Sequence, residues 1–320
     1  MTLEAPVKAY QHGIYPRSEQ VVGLTRDLER GRATPEQVEG GFKRDLEDFI
    51  RVQQEAQLDF FSDGLLRWQD IFRPLVEGAD GMEPGGLQRW FDNNAFFRAP
   101  LVKADPRLHD GIPDVMGDAK VPQPRVVTLP SPFMFSRAAH ASTDRNRLMR
   151  ELAVDVLRPV ARSLASQGTG LIQLQEPWLV YYGAAGADWD GLGEAIAEMR
   201  SDIAVPVVLH TYYGDAARVA DRLRALPVAA VGVDAVMTDL ERLNGPWHTG
   251  LLLGCLDGRS SLIEGTEEIV SMVYDLIDRL KPASLYLSSN SDLELLPQPV
   301  AARKVRRLGD IVRQVKEGTR

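Results

Sequence analysis

Short hydrophobic runs alternate along the chain with longer segments in which apolar residues recur at helical spacing. Apolar strands separated by helices are typical of a parallel sheet, because helices cover both of its faces. Eight strand–helix units close into a barrel, so the pattern predicts an α/β fold, a (β/α)₈ TIM barrel. The eight runs are residues 7–11, 58–62, 125–129, 170–175, 205–210, 231–237, 250–256 and 284–288.

A doubly wound open sheet is the alternative architecture for the same alternation of strands and helices. Its nucleotide-binding form carries Gly-x-Gly-x-x-Gly after the first strand. No such string follows residues 7–11, and the barrel is therefore favoured.

Several helices have recognisable starts or stripes. The string Thr-Pro-Glu-Gln at 34–37 combines a capping residue, proline at the first helical position and an amide three residues after the cap. Residues 144–166 carry a stripe of leucine and valine at helical spacing. The segments 264–280 and 297–315 also predict helices.

The segment 78–124 fits no strand–helix unit and is rich in glycine, proline, asparagine and aromatic residues. Long connections of this kind are usually functional or disordered. We expect an insertion or hairpin excursion between the second and third strands, near the mouth of the barrel. The chain 1–320 is then a single barrel domain.

Composition narrows the classes of partner. The formal net charge is −8 and no basic block is present, which argues against nucleic acid and anionic membranes as partners. Cys255 is the only cysteine, so no disulfide forms within the chain and a reducing compartment is indicated. The first residues have no apolar core of a secretory signal. We expect a cytoplasmic protein with a small-molecule substrate, and the sequence leaves homo-oligomer formation open.

Polar and aromatic residues collect where the predicted strands end, which in a barrel is the active-site face. Turn formation alone also places polar residues there. His210 is favoured for function because it ends a strongly apolar run, whereas the other histidines are expected at the surface. The candidate residues are Arg17, Asp63, Trp68, Gln173, Gln175, Glu176, His210, Tyr212, Asp239, Asp257, Arg259, Asn290 and Ser291.

Strings in a fixed order carry a family resemblance. They are Gly-Ile-Tyr-Pro-Arg at 13–17, the segment 54–64, Leu-Ile-Gln-Leu-Gln-Glu-Pro at 171–177, the passage 254–268 and the run 293–304. Together they resemble the catalytic C-terminal domain of cobalamin-independent methionine synthase and its short, single-domain relatives. The resemblance implies a barrel of the type shared with uroporphyrinogen decarboxylase.

The resemblance also implies a zinc-bound thiolate as methyl acceptor, with the metal held by His-x-Cys, a later glutamate and a last cysteine. These positions carry His210, Tyr212, Asp239 and Ser291. Because both soft thiolate ligands are replaced, most of the zinc affinity should be lost. We expect a degenerate zinc site, and a retained metal would rest on His210 and Asp239.

Family residues that hold the amino-acid substrate or act on it are replaced as well. Ile14, Leu65 and Gln175 stand where the family has serine, glutamate and aspartate, and Arg259 stands at its catalytic histidine. Three hypotheses stay open. The first is a diverged methyltransferase-type enzyme whose acid–base groups are His210, Asp239, Tyr212 and Glu176. The second is methyl transfer from a folate-like donor to a thiol at a weak metal site built from His210 and Asp239, with Asp292 or Tyr212 as a further ligand. The third is a non-catalytic binding protein.

Overall fold

The computed structural model describes residues 6–109 and 120–318. Its main sheet is formed by β1 Val7–Ala9, β4 Arg125–Pro130, β5 Thr169–Gln175, β6 Val207–His210, β7 Ala230–Asp234, β8 Gly250–Leu256 and β9 Leu285–Ser289. The strands are parallel and follow the order β1-β9-β8-β7-β6-β5-β4.

The second predicted run, 58–62, closes the gap between β1 and β4. Asp59 N donates to Ala9 O at 2.9 Å, and Phe61 forms a parallel bridge with Arg125. The eighth member of the barrel is therefore a short bridge and not a full strand, and the predicted barrel is confirmed.

Helices cover the outside of the sheet. The predicted cap at Thr34 is present, since its hydroxyl accepts from Gln37 N and its own N–H donates to Gln37 Oε1. No helix in the described ranges is long and apolar enough to cross a bilayer. The helices are α1 Glu19–Glu29, α2 Pro35–Glu55, α3 Arg73–Glu77, α4 Pro132–Ala138, α5 Arg145–Glu151, α6 Arg158–Ser166, α7 Trp178–Tyr181, α8 Gly186–Met199, α9 Ala220–Arg224, α10 Thr266–Leu280 and α11 Gln298–Gly318, with a π-helical stretch Leu152–Leu157 between α5 and α6.

The predicted insertion contains a long antiparallel hairpin. Its strands are β2 Ala79–Arg89 and β3 Phe96–Leu108. The hairpin lies in sequence between the second barrel member and β4, so the insertion between the second and third barrel strands is confirmed. Residues 110–119 of the predicted segment 78–124 lie outside the described residues.

The interior of the barrel changes from apolar to polar along the strands. Because residues two apart in a strand face the same side, successive interior layers can be followed from the sequence. One buried layer is Tyr10, Phe60, Val126, Leu171, Val208, Ala230, Leu252 and Tyr286. Two residues further toward the carboxyl ends lie the buried residues His12, Ser62, Thr128, Gln173, His210 and Ser288.

Candidate functional site

Two histidines meet in the polar layer of the barrel. His210 ends β6, and its ring centroid lies 4.8 Å from that of His12. Gln173 Nε2 lies 3.3 Å from His210 Nδ1, whereas His210 Nε2 and His12 Nδ1 have no hydrogen-bond partner among the described residues. Burial lowers the pKa of His12 to about 4 and that of His210 well below its usual value. Both imidazoles are therefore neutral at neutral pH.

The position of His12 differs from the sequence prediction. It was expected at the surface with three other histidines, but it is fully buried, whereas His109, His140 and His248 are exposed. Closure of the barrel brings the end of β1 opposite β6, which local sequence does not reveal. The only local signal was that His12 lies two residues after Tyr10, an interior position.

A hydrogen-bonded chain runs across the mouth next to this pair. Tyr212 Oη donates to Gln175 Oε1 at 3.2 Å, and Gln175 Nε2 donates to Asp292 Oδ1 at 2.6 Å. Ile14 N donates to the same Asp292 oxygen at 3.1 Å. Burial raises the pKa of Asp292 to about 7. Tyr212 and Gln175 are thus brought together, and Gln175 links them to Asp292.

Glu176 joins two helix starts. Its carboxylate accepts from Ser131 Oγ and from Met134 N at 3.0 Å in α4, and from Leu179 N at 3.1 Å in α7. Burial raises its pKa to about 7, and these hydrogen bonds oppose the rise. Its oxygens are engaged with protein donors, an arrangement that fixes α4 and α7 at the mouth.

Asp239 differs from His210 in its surroundings, since His210 is fully buried. Asp239 is exposed and begins a short 3₁₀ helix, while its N–H donates to Asp215 Oδ1 at 3.1 Å. The strand predicted over 231–237 ends at Asp234, because the Asp234 carboxylate accepts the N–H groups two and three residues later and turns the chain. The pairing of His210 with Asp239, as metal ligands or acid–base groups, stays a prediction that these contacts of Asp239 do not support.

Asp234 is the carboxylate that actually stands at this strand end. It is fully buried and accepts from Asn290 Nδ2 at 3.0 Å and from Tyr213 N at 3.1 Å. Burial raises its pKa. Asp234 is not among the sequence candidates because the predicted strand ends three residues later, at residue 237.

The end of β8 and the loop after β9 interlock. Gly258 N donates to Asn290 Oδ1 at 2.8 Å, and Ser291 Oγ donates to the same oxygen at 3.2 Å. Asp257 Oδ1 accepts from Arg259 N, whereas the Arg259 guanidinium lies 3.4 Å from Asp92 in the hairpin turn and 4.9 Å from the ring of Tyr213. Asp257 and Arg259 are thus joined through the backbone and not through an ion pair.

Arg17 and Trp68 lie on the wall of a cavity of about 540 Å³. The Arg17 guanidinium donates to Leu66 O at 2.7 Å and to Trp68 O at 2.5 Å, and these hydrogen bonds connect the loop after β1 to the loop that carries Trp68. Asp63, on the same loop, is half-buried and accepts from Leu65 N at 2.9 Å.

Glu294 also lines the cavity, although it is not among the residues that the sequence predicted for the site. It lines both this cavity and a neighbouring one of about 20 Å³, which Asp292 also lines. Burial, reinforced by the neighbouring Asp292, raises the pKa of Glu294 to about 8. One sequence feature could have identified Glu294. It lies three residues after Ser291, in the segment that follows the last strand.

The donors at the family's zinc positions do not fit a zinc site. The phenol of Tyr212 is hydrogen-bonded to Gln175, and burial raises its pKa well above the usual value. Ser291 offers a hydroxyl that is bonded to Asn290. Within residues 6–109 and 120–318, no three His, Cys, Asp or Glu side chains are grouped as metal ligands.

Residues 67–281 match the family described as cobalamin-independent synthase, N-terminal domain. This match spans more than half of the chain, and the protein belongs to that family. The predicted relationship to cobalamin-independent methionine synthase is confirmed. The matching domain is the N-terminal one, however, whereas the strings were compared with the C-terminal catalytic domain, to which the resemblance assigns the zinc ligands.

Individual relatives agree with the family. A methionine synthase of Sulfolobus acidocaldarius is 24% identical, over 92% of this chain and 87% of its own. A 5-methyltetrahydropteroyltriglutamate–homocysteine methyltransferase of Paraburkholderia xenovorans is 28% identical, over 71% of this chain and 34% of its own. The solved B12-independent methionine synthase from Shewanella sp. W3-18-1 has the same fold, with a TM-score of 0.77, 17% identity and 99% of each chain covered.

Proposed function

We propose that the protein is a diverged methyltransferase-type enzyme that acts on a small molecule without a cysteine-containing zinc site. The observation that supports the proposal most directly is the hydrogen bonding of Tyr212 and Ser291. Both stand where the family resemblance places thiolates, and both are engaged in hydrogen bonds with neighbouring amides. The relatives named as methyltransferases support small-molecule methyl transfer as the type of reaction.

The cavity of about 540 Å³ is large enough for such a substrate. Glu294 on its wall is the group best suited to proton transfer, because a carboxyl with a pKa of about 8 carries a proton at neutral pH. It can donate that proton to a leaving group and take one back later. Glu176, by contrast, is held by the starts of α4 and α7.

Metal content separates this proposal from methyl transfer at a weak metal site. Protein purified in the presence of zinc should contain far less than one zinc per chain, and His210→Ala should leave that content unchanged. One zinc per chain, lost in His210→Ala, would contradict the proposal.

Ligand binding separates an enzyme of this family from a binding protein with another ligand. The melting temperature of chelator-treated protein is measured with methyl-folates, homocysteine and other thiols. We expect a rise that shows that the protein still binds a methyl donor. If no family ligand shifts the melting temperature, the methyltransferase assignment loses its support.

A further inference from the structure

Asp292 is a buried carboxylate that two other loops hold in place. It lies in the loop after β9 and is 4% exposed. A single oxygen, Oδ1, accepts from Ile14 N, in the loop after β1, and from Gln175 Nε2, at the end of β5. Two donors from distant parts of the chain therefore converge on one carboxylate oxygen, as they would on the carboxylate of a bound ligand.

The surrounding chain is fitted closely to this oxygen. Gly13 adopts a φ of +68°, and a Cβ built on it would overlap Asp292 Oδ1 and lie 2.7 Å from Gln175 Nε2. Only glycine allows the backbone to come this close. Tyr212 Oη donates to the oxygen of the Gln175 side-chain amide. The NH₂ group of Gln175 is therefore directed toward the Asp292 carboxylate.

The donors also border ligand-sized space. Ile14 and Glu294 line the cavity of about 540 Å³, and Ile14, Asp292 and Glu294 together line the adjoining cavity of about 20 Å³. An anion entering from the cavity would reach the Ile14 N–H only at the place that Asp292 occupies. It would also be repelled by the carboxylates of Asp292 and Glu294 when these are ionised.

We propose that Asp292 determines ligand specificity by filling, from within the chain, a carboxylate-binding position at the cavity. The cavity consequently selects a substrate that places no carboxylate at this position. This inference rests on the proposed function only in placing the substrate in this cavity. It requires neither turnover nor metal, so a zinc-containing protein would overturn the proposed function and leave this inference standing.

The test is the binding of small carboxylates to the full chain. Asp292→Ala vacates the position and should bind formate or acetate about ten- to hundredfold more tightly than the wild type, as expected for charge-assisted hydrogen bonds from two donors. Asp292→Asn is the matched control, since its amide oxygen can still accept from Ile14 and Gln175. It should bind formate no better than the wild type. Isothermal titration measures all three proteins.

Two results would overturn the inference. One is a folded Asp292→Ala protein that binds neither anion more tightly than the wild type. The other is an equal gain in Asp292→Asn, which would indicate charge repulsion instead of occupancy. If the alanine variant does not fold, the Ile14 amide resonance of the wild type decides. It should not move on addition of formate, and a saturable shift would show that Asp292 leaves the position open.

Discussion

Burial sets the protonation of the individual carboxyl groups around the cavity. Asp292 and Glu294 adjoin the same small cavity and lie close enough for each negative charge to disfavour the other. Asp70 adds to the rise in the Glu294 pKa, and Arg17 opposes it. At neutral pH the pair therefore retains at least one proton, mainly on Glu294, whereas both groups would be ionised in an unfolded chain.

Because Glu294 retains its proton in the folded state, the thermal stability of the protein should depend on pH. Glu294 binds its proton more tightly in the folded state, so its stabilising contribution is complete below about pH 4.5 and is lost as the pH rises toward about 8. Glu294→Gln should flatten this decline. Its melting temperature should match the wild type at pH 4.5 and exceed it by about 1 to 3 °C at pH 8.5.

Thermal melts between pH 4.5 and 8.5 measure the effect. Glu19→Gln is the control, because Glu19 lines the same cavity but is exposed. It should melt like the wild type across the range. A wild-type slope in Glu294→Gln would mean that Glu294 is not the group that retains the proton.

At the level of secondary structure, the mouth of the barrel depends on short helices whose starts are joined by a single side chain. α4 begins directly after β4, and α7 begins just beyond the end of β5. Helix starts leave backbone N–H groups without partners. The Glu176 carboxylate accepts from Met134 N in α4 and Leu179 N in α7, and this ties the two loops to each other.

Removing this carboxylate should therefore cost stability. Glu176→Ala leaves Leu179 N and the buried Ser131 hydroxyl without their acceptor, while Met134 N keeps only Ser131 Oγ. We expect a loss of about 2 to 4 kcal/mol in the free energy of unfolding. Glu176→Gln keeps one acceptor oxygen and should lose less than half of that. Urea unfolding measures both variants. Equal stability of Glu176→Ala and the wild type would show that the carboxylate does not hold the helix starts.

For the molecule as a whole, the hairpin is attached to the barrel at more than one place. The ring of Phe91 lies 4.6 Å from Trp178 and 5.5 Å from Tyr213, measured between centroids. In the middle of β3, Val102 N donates to His140 O at 2.9 Å. We infer that the described residues, 6–109 and 120–318, form one domain, with the hairpin of β2 and β3 packed at the barrel mouth.

A single domain should unfold in one cooperative transition. The transition followed by far-UV circular dichroism should coincide with that followed by tryptophan fluorescence. The fluorescence reports on Trp90, in the turn of the hairpin, and on the tryptophans of the barrel. Phe91→Ala should lower the common midpoint by more than Phe91→Leu, without separating the two signals. Two resolved transitions in the wild type would contradict the single domain.

The sequence by itself determined the barrel and the end of the barrel that carries the candidate site. Strand periodicity, helix caps such as Thr34 and the polar residues that end the strands are local properties, so they can be inferred one segment at a time. The same local information identified His210, Gln175 and Tyr212 as neighbours of the strand ends, and it predicted the hairpin insertion from a segment that fits no strand–helix unit.

Only the tertiary structure decided which of these residues meet. Asp292 is 278 residues from Ile14 and 117 from Gln175 in sequence, and their contact exists because the barrel closes. Closure also buries His12 against His210, and a turn held by Asp234 leaves Asp239 exposed. Burial then sets the charges of Asp292 and Glu294, since desolvation depends on everything packed around a group and not on its neighbours in sequence.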